Sequence, residues 1–76
     1  MKVKVTIDKE IFEIEKDEIK KALSLMGKAL CGNVTAGCVV AAAKLIGDNP
    51  KGFMWSVMFD RFDSFLENIK EVVIPP

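Results

Sequence analysis

The 76-residue sequence predicts a single α+β domain, residues 1–76. A small sheet, formed by an N-terminal β-hairpin and a short C-terminal strand, packs against three helices in the order ββαααβ. The period of the apolar residues carries this reading. It is two residues from Lys2 to Glu15 and helical from Asp17 to Ile69, and the β-branched run Val72-Val73-Ile74 follows.

Val3, Val5 and Ile7 alternate with Lys2, Lys4 and Thr6, and Phe12 and Ile14 alternate with Glu13 and Glu15, so both segments read as half-buried strands. Asp8-Lys9-Glu10-Ile11 is read as a four-residue loop. That register sets Ile7 opposite Phe12 and Val5 opposite Ile14 on one face, with Thr6 opposite Glu13 and Lys4 opposite Glu15 on the other. A two-residue loop sets Ile7 against Glu10 and lacks the Gly or Asn that primed turns favour.

From Asp17 onward Ile19, Ala22, Leu23, Met26, Ala29 and Leu30 follow the spacing of an amphipathic helix, with acids at its start and Gly32 at its stop. A second helix is expected from about Thr35 to Ile46, capped by Asn33 or Thr35 and ended by Gly47. Lys44 is its one charge, and its small residues suit a central helix or a self-association surface. Gly37 costs about 1 kcal/mol of helix propensity relative to Ala, which suggests close packing there. Asn49-Pro50 starts a third helix that reaches about Ile69. Trp55, Met58, Phe59, Phe62, Phe65, Leu66 and Ile69 form its main stripe, leaving Phe53 and Val57 on the opposite face, where either the fold covers them as well or they stay exposed for a partner.

Composition narrows the function. Half of the residues are hydrophobic and the mean hydropathy is +0.23, so a domain this small is expected to leave apolar surface for a partner. Eleven Lys and Arg balance eleven Asp and Glu, which disfavours direct nucleic-acid binding. Val34 to Ile46 is too short to span a membrane, and the Lys2-Val3-Lys4-Val5 opening does not resemble a secretory signal, so a cytoplasmic location is expected.

The sequence has no His and no Tyr, so neither Cys31, Cys38 nor any Ser has an imidazole to activate it, and an enzyme is not expected. A C-x6-C spacing without further ligands is not a zinc pattern, and buried thiols are expected. Asp60, Asp63 and Glu67 could face one cation, but three carboxylates leave most of calcium's ~6–8 oxygen positions empty, and a solvated helix face accounts for them. No metal and no cofactor are expected. Asn33, Thr35 and Gly37 are an anion-binding candidate at the start of the second helix, although an ordinary capped helix–helix turn accounts for the same residues.

The function expected from these features is a small non-enzymatic protein-binding module. By size and class only, it resembles phage or mobile-element inhibitors of a host defence or regulatory complex, of the anti-CRISPR kind. Phe53, Met54, Trp55, Val57 and Ala42 are the expected partner or self-association interface, most simply that of a homodimer. The alternatives are an oligomer that binds or sequesters a small ligand such as a nucleotide, and a structural or assembly subunit.

Overall fold

The computed structural model describes residues 1–28 and 36–75. It is an α+β fold in which a three-stranded mixed sheet of order β2-β1-β3 carries helices on one face. The strands are β1 (Lys2–Ile7), β2 (Glu10–Glu15) and β3 (Glu71–Ile74), and the helices are α1 (Lys16–Lys28), α2 (Ala36–Asp48), α3 (Pro50–Phe59) and α4 (Phe62–Leu66). The short C-terminal strand expected from Val72-Val73-Ile74 is present and runs parallel to β1, with Val5 beside Val72.

The hairpin register corrects the expected one. Val3 lies opposite Ile14, Val5 opposite Phe12 and Ile7 opposite Glu10, so Asp8 and Lys9 alone form the turn. Both have positive φ, 48° and 73°, as a primed two-residue turn requires. The same apolar face is kept, because the two registers differ by an even number of residues. What changes is the number of favourable cross-strand pairs. Val3 gains Ile14 as its partner, while Lys2 faces Glu15 and Lys4 faces Glu13. The Asp side chain tolerates the left-handed conformation that Gly would otherwise supply.

Val3, Val5 and Val72 are buried on the inner face of the sheet, against Ile19, Ala22 and Leu23 of α1, Cys38, Ala41, Ala42 and Leu45 of α2, and Phe62 and Leu66 of α4. The outer face carries Thr6 between Ile11 and Val73, both more than half exposed. α1 follows β2 without a loop, and the Lys16 N–H donates to the Met1 carbonyl at 3.0 Å.

The single third helix expected to reach Ile69 is two helices. α3 stops at Asp60, whose φ of 51° is left-handed. Asp60 N–H donates to the Val57 carbonyl at 3.4 Å and Arg61 N–H to the Ser56 carbonyl at 2.9 Å. This is the bonding of a Schellman cap, with Asp in the place usually held by Gly. The break lets Phe62 and Leu66 turn into the core after α3 has ended.

Candidate functional site

α3 begins where Asn49 and Pro50 are expected to start it. The Asn49 side chain accepts from the Gly52 N–H at 3.1 Å, and Pro50 fills a position whose N–H would have no helical partner. Its rotation about its own axis is set by three inward residues. Ser56 is completely buried, with its hydroxyl donating to the Phe53 carbonyl at 2.7 Å. Phe53 and Val57 pack against the core, and Phe53 meets Phe65 edge-on at 6.3 Å.

With these three turned inward, 3.6-residue periodicity drives the intervening residues outward. Met54, Trp55, Met58 and Phe59 are 61%, 43%, 73% and 52% exposed. They lie side by side, with the Trp55 and Phe59 rings 5.4 Å apart. Arg61 sets its guanidinium 6.0 Å from the Trp55 ring centre, within range of a cation–π contact. A shallow hollow of about 370 Å³ follows Pro50, Lys51, Met54, Trp55 and Met58. An apolar surface with a cation at each end is suited to burying apolar groups.

A second concavity, of about 480 Å³, lies between β2 and α2. β2 is an edge strand, and its inner-face Phe12 is 44% exposed although Val5, directly opposite, is fully buried. Ile7, Ile14, Ala36, Gly37 and Val40 form the remaining apolar lining, and Glu10, on the same face of β2 as Phe12, supplies a carboxylate.

Of the interface residues expected from sequence, Met54 and Trp55 are at the surface. Phe53 and Val57 are not on an outer face, as expected, but half-buried against the core, and Ala42 is wholly buried within this chain's own core. The correction has one cause. The expected stripe joined residues 55–59 to residues 62–69 as though one helix carried them, and the left-handed Asp60 breaks that phase. Met58 and Phe59 therefore belong to the outer face. Asn33, Thr35 and Cys31 lie outside the described residues. Gly37, the third anion-binding candidate, lines the β2–α2 concavity, and a methyl group added there would meet Ile14 Cδ1 at an ordinary 3.5 Å, so close packing does not require the glycine.

Cys38 is buried in the core. Asp63 forms an ion pair with Lys20 of α1 at 3.0 Å, and among the described residues no group of His, Cys, Asp and Glu is arranged to hold a metal ion. No helix among the described residues is long and apolar enough to cross a membrane. Comparison with family models, curated proteins and solved structures finds no match to this chain.

Proposed function

We propose that the chain is a non-enzymatic protein-binding module that uses the outer face of α3, and that a second copy of the chain is one of the proteins it binds there. The observation that carries this reading is the contiguous exposure of Met54, Trp55, Met58 and Phe59 on one helix face. Single exposed apolar residues are ordinary, whereas a contiguous group of aromatic and Met side chains has the composition of a contact surface. A formal net charge of zero favours a second copy as occupant, because no long-range repulsion keeps the copies apart.

Trp55 is the sole tryptophan, so its emission reports directly on burial of this face. Raising the protein concentration should shift that emission to the blue while sedimentation equilibrium shows mass above 8.4 kDa. Met58→Glu should leave the circular dichroism unchanged and weaken association by about tenfold or more, as loss of a central interface contact does. A wild-type protein that stays at the single-chain mass at every concentration would overturn self-association.

A further inference from the structure

We infer that the copies join head to tail, with the α3 face of one chain seated in the groove between β2 and α2 of the next. This rests on the self-association just proposed and adds the surface that receives α3. The groove exists because the helices cover β1 but leave the inner face of the edge strand open, so Phe12 and Val40 face solvent. Apolar inner-face residues of an edge strand left in this way are a surface awaiting cover.

Charge selects what covers it. Glu10 lines the groove and, among the described residues, forms no ion pair, whereas the Glu13 side chain alternates with Phe12 and Ile14 and lies on the outer face. Glu13 has Lys4 across the strand pair, and Glu10 faces only Ile7. The α3 face carries Lys51 within its hollow and Arg61 over Trp55, and neither has an ion-pair partner among the described residues. Asp60, the acid nearest this face in sequence, acts electrostatically on Lys20, together with Asp63 and Asp17. One chain thus holds an apolar helix face with cations and an apolar groove with an anion at its rim.

Symmetric pairings match these charges poorly. Two α3 faces packed antiparallel bring the Lys51 end of each helix to the Arg61 end of the other, and parallel packing sets Lys51 against Lys51. Two β2 edges paired antiparallel about their centre bring Glu10 of each to Glu15 of the other. Like charges at a contact disfavour it, whereas α3 in the groove brings a cationic end of its face to Glu10. Such a contact uses two different surfaces, so it closes into a ring or continues as a chain of copies.

Mixing two blocked variants tests the arrangement. Val40→Glu closes the groove and leaves α3 intact, while Met58→Glu blocks α3 and leaves the groove intact. Each alone should be monomeric, and a mixture should give a capped 1:1 heterodimer of twice the 8.4 kDa chain mass. If Val40→Glu disturbs folding, the charge swap replaces it. K51E/R61E should weaken association about tenfold or more, and adding E10K in the same chain should restore part of it. Full association of Val40→Glu and of E10K, with loss only in Met58→Glu, would overturn the head-to-tail contact and leave self-association through α3 standing. A mixture that remains monomeric would also overturn it, and a monomeric wild type would remove both readings.

Discussion

Lys20 Nζ lies 3.0 Å from Asp63 Oδ1 and joins α1 to α4 across 43 positions of sequence. The hydrogen bond to Asp63 is the largest influence on Lys20, followed by the Asp63 charge. Desolvation opposes them, and still weaker contributions from Asp17 and Asp60 add to the rise, which leaves the pKa above the ordinary 10.5. A raised folded-state pKa means that the pair's contribution is fully present below 10.5 and is lost as pH rises through the higher folded value. The melting temperature of the wild type should therefore exceed that of Asp63→Asn by a constant margin from neutral pH to about pH 10, and the margin should shrink above that. A margin that grows with alkalinity would show that the pair does not act this way.

The turn at Asp8-Lys9 makes Lys4 and Glu13 direct neighbours across the hairpin. Lys4→Glu and Glu13→Lys should each cost up to about 1 kcal/mol, and the double exchange should recover the ~0.2–1 kcal/mol of this cross-strand pair while the like charges of residue 4 and Glu71 remain. Urea titration of the cycle distinguishes this register from the four-residue loop, in which Lys4 would couple to Glu15.

A Cβ at residue 52 would stand 2.5 Å from Asn49 Nδ2, so the cap and the glycine depend on each other. Asn49→Ala should cost about 1 kcal/mol. Gly52→Ala gains about 1 kcal/mol of helix propensity but displaces the capping amide, so its net effect should be close to zero. Once Asn49 is already Ala, the same Gly52→Ala change should stabilise by up to about 1 kcal/mol, which denaturation of the four proteins would reveal.

Where sequence and structure agree, the signals are local. Alternation around Val3 and Val5, the stripe Ile19, Ala22 and Leu23, and the Asn49-Pro50 start each depend on neighbours a few residues away, and each appears as expected. The differences arise where left-handed backbone is supplied by residues other than glycine. Asp8, Lys9 and Asp60 adopt positive φ without any glycine to announce it. The first two shift the hairpin register and the third divides the long helix. This also explains why Met58 and Phe59 read as core from sequence, since a continuous helix would have carried them inward with Phe62 and Leu66. Over residues 50–59 alone the apolar residues lie on every side, so the pattern does not select which face turns inward. The β2–α2 groove had no sequence signal, because it depends on which strand the helices leave uncovered.

The parallel pairing of β1 with β3, which sets Lys4 beside Glu71, also fixes the order in which the protein can be completed during synthesis. The hairpin can form once both of its strands, through Glu15, have left the ribosome, but β1 then waits for its second neighbour until residues 71–74 follow. At ~5–20 residues per second that interval is on the order of 3–13 s, long compared with the microseconds in which a hairpin closes. Throughout it Val3 and Val5 belong to a strand with an open edge, and Lys2 and Lys4 on that same strand are the charges that discourage a neighbouring nascent chain from pairing there first.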